Sequence, residues 1–250
     1  MKRTVITVSL GVKLSDTFTM ISKHKPDEGL QELKRFIETA KLDASALRDI
    51  DAETKVLYRK FYALLVFDHL LQGSLSDAIQ KNYARETVSD LSHGFFLTCI
   101  GLYKPARTSA RSAIENLIRF LLLHRGVDAM SITAVYALFE EANRTFLADE
   151  EQFKRIGRLR SVYSELCKTV HSSSADYMNL EVPFNTMLTF DKGKFSDNRD
   201  IVRECCTIVG ELLFVEFDSL VQSAHYTHRD ILSESVSKSV RREARSSRTI

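Results

Sequence analysis

"KPARTSARSAIENLIRFLLLHR", residues 104–125, decides how the rest of the chain reads. Pro105 stands in the first turn and Gly126 follows the last, the punctuation of a helix start and stop. Between them Ile114, Leu117, Ile118, Leu121 and Leu122 recur at helical spacing. At a rise of about 1.5 Å per residue the segment spans roughly 30 Å. A helix this apolar needs cover on most sides. Its polar residues form a second pattern: Arg107, Arg111, Glu115 and Arg119 fall at successive i+4 positions and make one charged ladder. On an otherwise buried helix the ladder points into a groove, where an Arg–Glu pair needs partners. Two roles fit. Arg111 and Glu115 brace the bundle as an ion pair, or Arg107 and Arg111 face an anionic ligand while Glu115 orients one of them.

Outward from this segment, helical spacing predicts further helices over 29–40, 51–72, 75–86, 88–102, 129–147, 150–171 and 198–225. Leu232, Val236 and Val240 carry i, i+4 spacing into the tail. The 250 residues include only nine Gly and three Pro, which favours long uninterrupted helices over turn-dense β structure. Residues 4–12 alternate like a strand, and 182–190 is a candidate partner that Pro183 confines to an edge. The expected fold is all-α, a helical bundle with room for a minor two-stranded β appendage. The organisation reads as an N-terminal strand or arm with accessory helices over 1–84, a helical core over 85–225, and a basic C-terminal helix and tail over 226–250.

Composition excludes several classes. A hydrophobic content of 44% supports a sizeable core, and 27% charged residues is ordinary for a soluble protein. No apolar run reaches the roughly 18 residues a membrane span requires. The start, "MKRTVITVSLGV", is broken by Thr7 and Ser9 and reads as a strand or arm rather than a signal peptide, so a cytoplasmic location is expected. Cys99, Cys167, Cys205 and Cys206 show no C-x-x-C spacing and read as small buried hydrophobes. "HYTH", residues 225–228, places two imidazoles at i, i+3 without two further ligands at metal spacing, and neither metal nor cofactor is expected. There is no Gly-rich phosphate loop, G-x-S-x-G elbow or Asp-x-Asp pair. From Tyr226 onward six Lys/Arg face three acids, so the tail is basic while the body is nearly neutral. Arg241, Arg242, Arg245 and Arg248 suit salt-sensitive phosphate contacts, while a basic tail of this kind is more often simply solvated or bound to a protein partner.

A second stretch, "YSELCKTVHSSS" at 163–174, raises the question of chemistry. Tyr163, Leu166 and Val170 keep helical spacing, which stops at His171 before three serines. The dipole of a helix C-terminus favours an imidazolium there, and a histidine titrating near neutrality can give or take a proton. A capping histidine is the structural alternative. The catalytic candidates are His171, Arg111 and Glu115. Arg107, Tyr163, Lys168 and Ser172 are the candidates for holding substrate.

"ARSAIENLIRFLL" and "YSELCKTVHSSSADYM" together resemble a group of prokaryotic helical domains that carry Arg-x-x-x-Glu on one helix and Tyr-x-x-Leu-x-x-x-Val-His at the end of another. More distantly they are similar to the HEPN superfamily, including AbiV-like abortive-infection proteins. The resemblance covers roughly residues 85–225 and matches Arg111, Glu115, Tyr163 and His171. It implies a helical bundle that dimerises and cleaves RNA without metal, in phage defence or a toxin system. That superfamily places an arginine five to seven residues before its histidine, whereas this chain has Ser164, Glu165 and Leu166 there. Arg111, from the neighbouring helix, is the expected substitute. Arg119 and His124 have Arg-x(4)-His spacing, but five residues turn a helix by about 140° and keep the pair apart unless the helix ends between them. The competing expectation is a non-catalytic adaptor, regulator or subunit that binds a protein partner.

Overall fold

A computed structural model describes residues 26–48, 51–170 and 188–246. Ten α-helices and one 3₁₀ turn form among these residues, and no strand does. The helices are α1 (Pro26–Thr39), α2 (Ala52–Ser74), α3 (Ala78–Cys99), α4 (Tyr103–His124), α5 (Val135–Thr145), α6 (Glu150–Val170), α7 (Lys192–Glu216), α8 (Asp218–Ser223), α9 (Tyr226–Ser235) and α10 (Lys238–Ser246). The all-α expectation holds. The strand expected over 4–12 lies outside the described residues, as does most of its candidate partner. Residues 188–190 of that partner are not strand.

The decisive segment is the central rod. Helix α4 packs against α3, α5, α6 and α7. Ala113, Ile114, Leu117, Ile118, Phe120 and Leu122 on it have no exposed surface. Burying one such Leu or Ile contributes about 1.5–3 kcal/mol, so this face alone commits the helix to the interior. Helices α3 and α4 run antiparallel through the three-residue turn 100–102. Gly101 sits at φ +83°, and a Cβ there would come within 2.9 Å of the Thr189 carbonyl oxygen, so the turn requires glycine. Gly94 faces Ala106 and Ala110 across the same pair, and these small residues let the two backbones approach closely.

Among the described residues aspartates set four helix starts, with Asp149 accepting from the Gln152 amide at the start of α6. Asp51 accepts from the Thr54 amide, Asp77 from those of Ile79 and Gln80, and Asp191 from that of Lys194. On the other flank α2 packs against α1, α3, α7 and α9, and α7 also carries α10. One hydrophobic core runs through the whole assembly, from Leu30 to Ala244.

Several boundaries differ from the sequence expectation. Residues 78–99 are one helix rather than two broken near 87. Thr87, the β-branched residue at the expected break, is buried and donates its hydroxyl to the Tyr83 carbonyl, so it rides inside the helix with its polar group satisfied. Helix α5 starts at Val135 rather than 129. Asp128 draws the chain into a local turn, its carboxylate accepting from the Met130 amide and its carbonyl from the Ser131 hydroxyl. The long C-terminal helix begins at Lys192 and breaks at Phe217, whose ring stacks on Phe120 with centroids 5.5 Å apart.

Candidate functional site

Two of the expected candidate helices, α4 and α6, lie side by side, and their polar residues meet at the seam. Arg111 Nε donates to the Tyr163 hydroxyl at 2.9 Å, and that hydroxyl donates to Glu115 Oε1 at 2.9 Å. Arg111 Nη2 closes the triangle on the same Glu115 oxygen at 3.1 Å. The guanidinium carbon lies 5.1 Å from the Tyr163 ring centroid, and Phe139 of α5 packs edge-on against that ring. Three residues singled out from segments about 50 positions apart therefore form one cluster.

The cluster is wet on one side. The Arg111 and Glu115 side chains keep 26% and 24% of their surface exposed, and Arg111 Nη1 has no acceptor among the described residues. Burial works against the Arg111 charge, but the Tyr163 hydroxyl and the Glu115 carboxylate outweigh it and hold the guanidinium above its ordinary pKa. Burial, helped by the neighbouring Glu115, pushes the Tyr163 phenol well above the usual tyrosine range despite Arg111. The phenol bridges the two charged groups, accepting from the guanidinium and donating to the carboxylate.

One turn earlier on α4, Arg107 reaches the last turn of α6. Its Nη1 donates to Thr169 Oγ1 at 2.7 Å and its Nε to Asn198 Oδ1 at 2.7 Å. Asn198, 1% exposed, donates in turn to the Tyr103 carbonyl. Tyr103 spans to Asp191 at the start of α7, its hydroxyl donating to the carbonyl and accepting from the amide. Asn198 also reaches the Thr98 hydroxyl at 3.5 Å, so one polar network joins the ends of α3, α4, α6 and α7.

The remaining candidates fall in different places. Lys168 pairs with Glu165 at 2.7 Å on the outer face of α6. His171 and Ser172 lie outside the described residues. Arg119 leaves the ladder to donate Nη2 to the Ile132 carbonyl, while His124 rests against Phe217 with ring centroids 4.5 Å apart. Helix α4 runs unbroken through both, so the Arg-x(4)-His pair does not converge. Sequence reasoning missed Asn198 and Thr169. Asn198 had a legible signal: it shares the stripe of Val202, Cys205, Val209 and Leu212, and a polar residue on a core stripe demands partners.

No group of three or more His, Cys, Asp or Glu suited to a metal ion occurs among the described residues. His225 caps α9, and His228 turns toward His69 of α2, with centroids 5.7 Å apart. Cys99, Cys205 and Cys206 are buried and free, while Cys167 is partly exposed. Burial pushes the Cys99 and Cys206 thiols up to about 12, leaving them inert as nucleophiles near neutrality. No described helix is long and apolar enough to cross a membrane. Neither the protein-family models, nor the curated proteins, nor the solved structures contain a match to this chain.

Proposed function

We propose that this chain is a HEPN-like helical protein that acts on nucleic acid, cutting RNA without a metal ion. The motif resemblance motivates the reading, and one observation carries it. Arg111, Glu115 and Tyr163 come together, and the next rung, Arg107, is bonded two residues before His171 in sequence. Tyr163 precedes the last residue of α6 by about two turns, roughly 10 Å of helix, so Arg107 replaces Arg111 as the guanidinium nearest the helix end.

In this reading His171 removes the proton from a ribose 2′-hydroxyl. The freed oxygen attacks the adjacent phosphorus, the bond from phosphorus to the 5′-oxygen breaks, and the leaving oxygen takes up a proton. The products are a 2′,3′-cyclic phosphate and a 5′-hydroxyl end. Arg107 stabilises the charge that builds on the non-bridging oxygens. Arg111, held by Glu115 and Tyr163, offers its remaining donors to a neighbouring phosphate. A cytoplasmic setting, a homodimer and a role in phage defence or a toxin system accompany the resemblance.

A second reading has its own observation. The Tyr163 and Glu115 hydrogen bonds close entirely within the protein, as they would in a brace. The chain is then a non-catalytic adaptor, regulator or subunit. Purified protein incubated with RNA in excess chelator separates the two. The ribonuclease reading expects cleavage that disappears in His171→Ala. RNA left intact by the wild type, or cut equally well by the variant, leaves the adaptor reading.

A further inference from the structure

Helix α10 is held by one side and charged on the other. Val240 and Ala244 are buried at 3% and 1% exposure where it lies on α7. Glu243, between them, takes two hydrogen bonds of 2.6 Å from Arg155 of α6. What remains is Lys238, Arg241, Arg242 and Arg245, the i, i+3, i+4, i+7 spacing of a single helix face. Lys238, Arg242 and Arg245 are exposed and Arg241 partly so. None of these side chains makes a hydrogen bond or ion pair among the described residues. Many exposed cations elsewhere are paired, as Arg144 is with Glu141, Lys154 with Glu150 and Glu151, and Arg158 with Glu204 and Glu211. Those unpaired among the described residues, such as Arg35, Lys41, Lys55 and Lys192, are scattered rather than gathered on one helix face.

We propose that this face of α10 binds the phosphate backbone of a nucleic-acid strand. Four neighbouring cations without carboxylate partners favour a polyanion whose charges recur at short, regular intervals. A membrane surface fits poorly, because an interfacial helix immerses its apolar side and here that side is packed on α7. A protein partner fits poorly too, because stable interfaces centre on buried apolar or aromatic anchors and this face has none. The sequence is read through charge alone, so binding is insensitive to base identity. The site rests on the proposed function only in the choice of ligand and requires no chemistry at the α4–α6 seam.

The test uses the full chain and a fluorescent single-stranded 2′-deoxy oligonucleotide, which lacks the nucleophile and cannot be cut by the proposed reaction. Anisotropy titrations across a salt series give the slope of log affinity against log salt. Replacing Lys238, Arg241, Arg242 and Arg245 together by Gln lowers the magnitude of that slope by about 3, at roughly 0.7 per phosphate contact on a single strand. The same change at Arg35, Lys41, Lys55 and Lys81, distributed over α1, the turn that follows it, α2 and α3 and equal in charge, leaves it unchanged. Absence of wild-type binding, or equal slopes in the two variants, overturns the proposal. So does an α10 variant that loses binding to phosphatidylserine vesicles while keeping the oligonucleotide. Failure of the ribonuclease reading shows in RNA cleavage and leaves this measurement untouched.

Discussion

Arg155 and Arg111 are both bonded to carboxylates, one on α6 and one on α4, and they differ in what is left over. Arg155 sends both terminal nitrogens to Glu243, adds Gln152, and has Glu211 3.6 Å from its Nε. Its side chain is 6% exposed. Arg111 has one carboxylate and one phenol, a quarter of its surface in solvent, and a terminal nitrogen without an acceptor among the described residues. A saturated arginine is a clamp. One with donors to spare can also serve a ligand, and the proposed function rests on that difference rather than on the presence of an Arg–Glu pair.

The largest expected effect lies at the clamp. Glu243→Ala leaves the Arg155 charge with a neutral Gln152 acceptor and the longer Glu211 contact, and unfolding free energy by urea titration should fall by about 3 kcal/mol. Replacing the pair by Arg155→Met with Glu243→Leu should recover most of that loss, because two apolar groups of similar volume need no counter-charge. At the seam the effect is smaller. Tyr163→Phe removes one hydroxyl that serves both Arg111 and Glu115, while the direct ion pair remains, so the expected cost is about 1 kcal/mol. A loss at Tyr163 as large as that at Glu243 would erase the distinction.

The smallest expected effect concerns acid. Burial, then the facing His228, holds His69 below its usual pKa against the opposing pull of Asp68; burial, then His225, lowers His228. Both folded-state values lie below the unfolded value of 6.5, so the unfolded chain binds protons more readily. Stability therefore falls as pH drops through 6.5 and the loss levels off below the folded values. A chain carrying His69→Gln and His228→Gln should show a shallower decline in melting temperature between neutral pH and pH 5.

The sequence was most legible where apolar spacing and punctuation agreed. Helix α4 carries Pro105 in its first turn, Gly126 beyond its end and a continuous apolar stripe, and it lies close to where those residues imply. The misplaced boundaries share a cause: each depends on a polar or aromatic contact invisible to periodicity, such as the Asp128 turn before α5 or the stacking of Phe217 on Phe120. The site was half legible. The i+4 ladder and the Tyr163 motif name groups that do meet, yet spacing within each segment cannot fix how two helices are offset along their common seam. That offset, read from Thr169, brings Arg107 rather than Arg111 to the end of α6. Asn198, which steadies Arg107, comes from a third helix that no local pattern linked to the first two.

The most direct measurement compares RNA cleavage in chelator by Arg107→Ala and by Tyr163→Phe, with circular dichroism confirming that both are folded. Arg107→Ala should lose the product ending in a 2′,3′-cyclic phosphate while Tyr163→Phe retains much of it. Equal activity in Arg107→Ala and the wild type would contradict the role proposed for Arg107.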